Sequence, residues 1–166
     1  SHLDFTQRLF EKLGVEEDSK IINISSVSSF GVYPFIAPYC ASKRALDMLF
    51  NSMQIECRGK SKGRIRVISI KPGVIKTPLW DKSIEKNQSA MNGNQKYEKE
   101  YAFLKANAKK CAQKGLDAQV VSDLVLKIDS MKNPKPSYTV GFDAKLGEIL
   151  SHFPQKWINF IVRQLL

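Results

Sequence analysis

Short apolar runs alternate with a longer stretch of helical periodicity in the first half of the chain. Ile21–Ile24 and Ile65–Ile70 are rich in β-branched residues, which is typical of buried strands. Between them, from Tyr39 to Arg58, apolar residues recur at steps of three and four among good helix formers, which predicts a helix. This order predicts a βαβ unit with parallel strands and a right-handed connection.

Further elements extend the pattern in both directions. A helix is predicted over Ser1–Leu13, where the apolar positions approximate one face. Asp117 is placed to cap a helix that buries apolar positions within Val120–Ile128. Ser137–Val140 predicts a third short strand, and Lys145–Leu166 forms an amphipathic tail.

Residues 81–115 interrupt this regular pattern. The segment is polar and rich in Lys, Asn and Gln, and its aromatic residues Tyr97, Tyr101 and Phe103 are spaced as on a helix. We expect a mobile excursion that contains one or two helices, inserted between a strand and a helix.

Composition bounds the class of protein without identifying it. The 166 residues are 43% hydrophobic and 25% charged, enough to build the core of one domain. No apolar run approaches the roughly 20 residues needed to cross a bilayer, and no signal-peptide core is visible at the start of the chain. Three scattered cysteines favour a reducing compartment, so a cytoplasmic location is expected. With only two histidines, no metal site is predicted.

The net charge of +10 raises the possibility of nucleic-acid binding. However, the lysines are spread over every segment, and no pattern of aromatic and basic residues suited to base stacking accompanies them. We therefore interpret the charge as a solvated basic surface and predict no nucleic-acid partner. DNA binding with a steep salt dependence would indicate the alternative.

Residues 26–43 carry the candidate chemistry. Tyr39 and Lys43 are four positions apart, so on a helix their side chains share one face. A free phenol has a pKa of about 10 and exchanges protons poorly at neutral pH, but a neighbouring ammonium favours the phenolate and allows acid–base catalysis. Ser26 follows the strand Ile21–Ile24, and functional sites collect at such strand ends in parallel sheets.

Three sequence blocks resemble the catalytic half of a classical short-chain dehydrogenase/reductase. They are Asn23–Ser26, the Tyr-x-x-x-Lys of Tyr39 and Lys43, and Lys71–Thr77. Tyr-x-x-x-Lys alone occurs often by chance, whereas three blocks in the family's order and spacing are specific. The segments at Tyr39 and at Tyr138–Lys145 further resemble the branch of 17β-hydroxysteroid and retinol dehydrogenase-like enzymes.

The resemblance implies a Rossmann-type, three-layer α/β fold with a parallel sheet. The chain would form a single partial domain over residues 1–166, the C-terminal half, with about three strands and flanking helices. It also implies a lid over the substrate at 81–115. Trp80, Tyr97, Tyr101 and Phe103 either line that lid or are ordinary packing residues.

The family's reaction interconverts an alcohol and its ketone or aldehyde with NAD or NADP. By resemblance, Tyr39 would be the general acid/base, Lys43 would stabilise its phenolate and bind the nicotinamide ribose, and Ser26 would hold the substrate oxygen. The backbone of Ile75 and the hydroxyl of Thr77 would contact the nicotinamide carboxamide and a phosphate. The implied cofactor-binding residues are Tyr39, Lys43, Pro72, Gly73, Ile75 and Thr77.

The chain also departs from the family. It contains neither the glycine-rich loop Thr-Gly-x-x-x-Gly-x-Gly nor the Asn-Asn-Ala-Gly block. The family's catalytic asparagine would fall about three positions before Ser1. Because that loop cradles the pyrophosphate, we expect the 166-residue chain by itself to bind the cofactor poorly and to be inactive. The preference for NAD or NADP stays open.

Apolar residues between Ser26 and Tyr39 favour an apolar substrate, such as a steroid, a retinoid or a lipid-derived carbonyl. The expected substrate contacts are Ser26, Tyr33, Phe35 and Trp80; the other apolar positions of this segment are Phe30, Val32 and Ile36.

Two expectations concern partners. An unpaired sheet edge, or the predicted helices Ser1–Leu13 and Tyr39–Arg58, would favour a homo-oligomer. For the tail, packing on the sheet or against another subunit is favoured over contact with a membrane surface. The alternative to an enzyme is a non-catalytic module of the same fold, used for oligomerisation or binding.

Overall fold

The computed structural model describes residues 4, 6, 8, 13, 18–31, 33–60, 65–91 and 98–164, of which 58–60 and 86–91 are described by their backbone alone. In chain order the elements are β1 (Ser19–Ile24), a 3-10 turn (Val27–Ser29), α1 (Ala37–Lys60), β2 (Ile65–Pro72), β3 (Ile75–Lys76), α2 (Leu79–Met91), α3 (Glu98–Lys114), β4 (Leu116–Asp117), α4 (Gln119–Ser130), β5 (Ser137–Val140), α5 (Phe142–Leu150) and α6 (Gln155–Gln164).

Strands β1, β2 and β5 form a parallel sheet in the order β1-β2-β5. Ile24 lies opposite Ile70, and Pro72 lies opposite Val140, so the carboxyl ends of all three strands meet at one edge. The parallel arrangement and the three predicted strands are confirmed. Within the described residues, β1 pairs with β2 alone, and its other side has no partner strand.

The central strand β2 is covered on both faces because its side chains alternate between two clusters. Ile65 and Val67 pack with Phe50, Met53 and Cys57 of α1 on one face. On the opposite face the members of the cluster are Ile68, Ile70, Ile128 and Val140, with Val121, Leu124 and Val125 packed against them. Helices therefore lie on both sides of the sheet, which confirms the three-layer α/β prediction.

Residues 81–115 contain most of α2 and all of α3. The helices predicted within this excursion are therefore confirmed. A short parallel pair, β3 with β4, joins the ends of this excursion to the end of β2 and was not predicted. Close approach at Gly115 makes the pair possible, because a Cβ there would lie 2.6 Å from the amide nitrogen of Lys76. Asp117, the predicted cap of α4, accepts a hydrogen bond of 2.8 Å at Oδ1 from the amide of Gln119, the first residue of this helix, but the residue at the cap position is Ala118.

Several predictions fall partly outside the described residues. Asp4, Thr6 and Arg8 are helical and Leu13 lies in a turn, while the other residues of the helix predicted over Ser1–Leu13 lie outside them, as do Val32 and Tyr97.

The tail forms two helices, α5 and α6. Trp157, Phe160 and Ile161 of α6 stay exposed, so these three side chains do not pack on the sheet; the other expectation for the tail, pairing with another subunit, stays a prediction. Among the described helices, none combines the length and apolar character that crossing a bilayer requires.

Candidate active site

Ser26 is held at the carboxyl end of β1 by the turn that follows it. Its extended backbone caps the 3-10 turn, and its Oγ accepts a hydrogen bond of 3.1 Å from the amide of Ser28. A longer contact of 3.3 Å joins the same oxygen to Ser28 Oγ. The Ser26 carbonyl accepts from both the amide and the hydroxyl of Ser29. These local hydrogen bonds therefore hold the buried Ser26 side chain in one orientation.

Tyr39 and Lys43 lie on the first turns of α1, as predicted. The Lys43 ammonium is 5.9 Å from the centre of the Tyr39 ring and donates a hydrogen bond of 3.4 Å to the carbonyl of Ile24. Ile24 ends β1, two residues before Ser26. Lys43 thus joins the helix that carries the phenol to the strand that leads to the serine. In the described part of the chain, Ser26 Oγ bonds to Ser28 and the Tyr39 phenol oxygen has no hydrogen-bond partner.

A strained turn precedes α1. Phe35 has a φ of 67°, a left-handed conformation that is uncommon for a bulky residue. Its exposed ring makes an edge contact with Phe103 of α3, with ring centres 6.3 Å apart. Residues in such conformations concentrate at functional sites. The turn brings a predicted substrate residue against the 81–115 excursion, whereas Tyr101 of the same helix donates to the carbonyl of Ile84 and packs within the excursion.

The carboxyl end of β2 is closed by Asp143, a residue that sequence reasoning missed. Asp143 Oδ2 accepts a hydrogen bond of 2.6 Å from the amide of Val74. A Cβ on Gly73 would overlap this carboxylate, so any other residue there requires the Asp143 side chain to move. The only signal in the sequence is an acidic residue in the first turn of a helix that follows a strand, a position that favours carboxylates.

Ile75 and Thr77 follow the carboxyl end of β2. Ile75 lies on β3, and Thr77 comes directly after that strand. The carbonyl of Ile75 accepts a hydrogen bond of 2.7 Å from the indole of Trp80. The amide of Leu116 donates to the carbonyl of Val74. Trp80, predicted to contact substrate, therefore also fixes the backbone that the resemblance assigns to the cofactor.

Tyr33 is a second phenol near the site. Burial raises the pKa of Tyr33, and the negative potentials of Cys40 and Asp143 raise it further. At neutral pH this phenol therefore keeps its proton and can act as a hydrogen-bond donor.

A buried ion pair lies beneath the site and was also missed. The Lys71 ammonium is 2.9 Å from Asp47 Oδ2, and their side chains are 10% and 4% exposed. The same ammonium lies 4.7 Å from the centre of the Phe30 ring, at the end of the 3-10 turn. Asp47 is one helical turn after Lys43, and Lys71 directly precedes Pro72. One cation thus connects the three segments that carry the candidate residues.

No group of three or more potential metal ligands occurs among the described residues. The chemistry that these residues offer is acid–base: an exposed tyrosine with a neighbouring ammonium at the start of α1, and a hydroxyl held just after the carboxyl end of β1.

Comparisons with known proteins place these observations in a family. The model of the family "short chain dehydrogenase" matches residues 1–88, more than half of the chain. The uncharacterized oxidoreductase YusZ of Bacillus subtilis is 29% identical over 150 residues, covering 89% of this chain and 52% of the relative. An NADPH-dependent 3-dehydrocapnine reductase of Ornithobacterium rhinotracheale is 27% identical, covering 81% of this chain and 47% of the relative.

Solved structures agree on the fold. A short chain dehydrogenase from Burkholderia cenocepacia in complex with NADP matches with a TM-score of 0.66 and 17% identity, over 97% of this chain and 54% of that chain. A second, from Burkholderia phymatum in complex with NAD, matches with a TM-score of 0.62 and 20% identity, over 97% and 52%. The chain spans about half the length of the curated relatives it matches.

Proposed function

Because the chain belongs to the short chain dehydrogenase family, we propose that it carries the catalytic residues of an NAD(P)-dependent oxidoreductase that interconverts an alcohol and its ketone or aldehyde. The observation that supports this most directly is the place of the Lys43 ammonium. It lies beside the Tyr39 ring and within hydrogen-bond distance of the strand end that leads to Ser26.

Tyr39 exchanges the proton. In reduction its phenol donates a proton to the substrate oxygen, and in oxidation the phenolate removes the proton of the alcohol. Tyr39 is 42% exposed, which supports access of a ligand to this side chain. Lys43 supports both directions because its positive charge stabilises the phenolate.

Ser26 orients the substrate oxygen. Its Oγ already accepts from the amide of Ser28, which leaves its own proton for donation. In the free protein that proton can serve the 3.3 Å contact with Ser28 Oγ. A substrate oxygen offers a better acceptor, so binding exchanges a long internal bond for one to the ligand.

The residues present fit the nicotinamide end of a cofactor. The Lys43 ammonium has three donors, and among the described residues only the Ile24 carbonyl accepts from it, so donors are left for ribose hydroxyls. Pro72, Gly73, Ile75 and Thr77 would hold the carboxamide side, with Trp80 and Asp143 fixing their backbone. Transfer of a hydride is the chemistry that NAD or NADP supplies when bound.

An apolar substrate is the proposed class, with contacts from Tyr33, Phe35 and Trp80. The exposed Phe35 ring and its edge contact with Phe103 support a place for apolar groups between the strained turn and residues 81–115, which would act as the lid.

A cytoplasmic homo-oligomer is the proposed state. Cys40, Cys57 and Cys111 are free thiols, which agrees with a reducing compartment. Met48 and Ile55 of α1 are exposed apolar residues seven positions apart, hence on one helix face, which supports pairing of two copies through α1.

An activity assay tests this function. The turnover of the full gene product is measured with NADH and with NADPH against a panel of apolar ketones and aldehydes. Tyr39→Phe is expected to lower turnover about 10²- to 10⁴-fold. The matched control is Tyr138→Phe on β5, whose hydroxyl accepts from the Lys135 amide outside the proposed site. Turnover retained in Tyr39→Phe would instead favour the non-catalytic module.

A further inference from the structure

The two C-terminal helices expose an unusual amount of apolar surface. Phe142 at the start of α5 is 84% exposed, and Trp157 and Phe160 of α6 are 58% and 63% exposed. We call the exposed set the C-terminal apolar surface; its members are Phe142, Leu146, Ile149, Phe153, Trp157, Phe160 and Ile161. Large side chains in such numbers on a surface are typical of an interaction site.

Helix α6 is divided into three sides. Trp157, Phe160 and Ile161 follow three- and four-residue steps and share the exposed apolar side. Ile158 and Val162 are half-buried and share another side of the helix. Lys156 and Arg163 are exposed and seven positions apart, so they form a basic edge beside the apolar side.

The charge of α6 is one-sided. From Ile149 to Leu166 the chain contains Lys156 and Arg163 and no acidic residue, whereas α5 contains Asp143 and Glu148 beside Lys145. A second copy that paired α6 with α6 would bring like charges against this basic edge. A surface of anionic headgroups would instead meet them with opposite charge and accept the tryptophan and phenylalanine at its acyl boundary.

We propose that the C-terminal apolar surface rests on an anionic lipid bilayer, with α6 lying in the plane of the interface. The aromatic side of α6 would enter the headgroup region, and Lys156 and Arg163 would contact lipid phosphates. This interaction goes beyond the proposed redox chemistry and does not depend on it.

Vesicle sedimentation tests the proposal with the protein alone. The probes are vesicles of phosphatidylcholine and vesicles of phosphatidylcholine with phosphatidylglycerol. Binding is expected to require phosphatidylglycerol and to weaken with added salt. In a Trp80→Phe background, where Trp157 is the remaining tryptophan, its emission is expected to shift to shorter wavelength on these vesicles.

Matched pairs of variants test whether vesicle binding depends on α6. Phe160→Ser removes a side chain that is 63% exposed, and the control Leu126→Ser removes one that is 68% exposed on α4. Only Phe160→Ser is expected to weaken binding, by about tenfold. Lys156→Glu with Arg163→Glu is expected to weaken it by about 25-fold or more, whereas the control pair Lys127→Glu with Lys132→Glu changes it far less.

Three results would overturn the proposal. The first is equal sedimentation with and without phosphatidylglycerol. The second is an equal loss of binding in Phe160→Ser and Leu126→Ser. The third is a dimer, detected by sedimentation equilibrium without lipid, that Phe160→Ser alone dissociates, because the surface would then be covered by a second copy.

Discussion

The ammonium of Lys71 lies 2.9 Å from the carboxylate of Asp47 in the interior of the protein. The pair joins the last residues of β2 to the helix that carries Tyr39 and Lys43, and Phe30 extends the contact to the turn that holds Ser26. Because it bridges these segments, we expect the pair to hold them in register.

Lys71→Met is expected to destabilise the fold by about 3–5 kcal/mol, because it leaves the Asp47 carboxylate buried without a partner. The free energy of unfolding, measured by urea denaturation, checks this. The double variant Lys71→Met with Asp47→Leu is expected to recover most of the loss, since both charges are then absent. A double variant no more stable than Lys71→Met would contradict this account.

Gly73→Ala is expected to cost about 1–3 kcal/mol, because the new methyl group displaces the Asp143 carboxylate and breaks its bond to the Val74 amide. The same substitution is expected to cost far less in an Asp143→Ala background, where the bond is already lost.

Gly115→Ala is the control for that cycle. A methyl group there meets backbone atoms of Lys76 and Ile75, so its cost should be the same with or without Asp143. Urea denaturation of the five variants gives the coupling. Equal costs of Gly73→Ala in both backgrounds would show that Asp143 does not control this position.

The pKa of Tyr33 is raised, first by burial and then by Cys40 and Asp143. A tyrosine in the unfolded chain loses its proton at a pH of about 10, which is lower than the pH at which the folded Tyr33 loses its proton. The stability that this group contributes is therefore present below that pH and is lost as the pH rises through the folded pKa.

Unfolding free energies measured from neutral to alkaline pH test this for Tyr33. Wild type is expected to lose more stability above a pH of about 10 than Tyr33→Phe does. Tyr138→Phe, which removes a hydroxyl elsewhere in the fold, is measured beside it for comparison. Parallel profiles for wild type and Tyr33→Phe would show that the phenol titrates normally.

The 166-residue chain alone is expected to bind NADH and NADPH weakly, because its sequence contains no glycine-rich phosphate loop. A fluorescence titration of the reduced cofactor with this chain measures the dissociation constant. A tight constant would mean that the cofactor is held without that loop.

Local patterns predicted much of the fold. The β-branched runs of β1 and β2 and the periodicity of α1 depend on neighbours in sequence, so their strands and helix were recognisable. The β3–β4 pair was not recognisable, because a strand of two residues shows no periodicity. Its pairing also depends on the close approach of Gly115 to Lys76.

The candidate site also contains residues that local sequence predicts and residues that only the fold brings together. Tyr39 and Lys43 are one helical turn apart, so their proximity follows from spacing alone. Asp143 lies 69 residues from Val74 and reaches it only when β2 and β5 pair. Lys71 and Asp47 resemble solvated charges in sequence, and only the packing of α1 on β2 makes them a buried pair.

A crystal structure of the full gene product with a nicotinamide cofactor and a ketone inhibitor tests the central claim most directly. We predict that one ligand oxygen lies within about 2.6–3.2 Å of both the Tyr39 phenol oxygen and Ser26 Oγ, with the Lys43 ammonium on the ribose. If the phenol and the serine hydroxyl contact different ligand atoms, or neither contacts the ligand, the acid–base site proposed for this edge of the sheet is wrong.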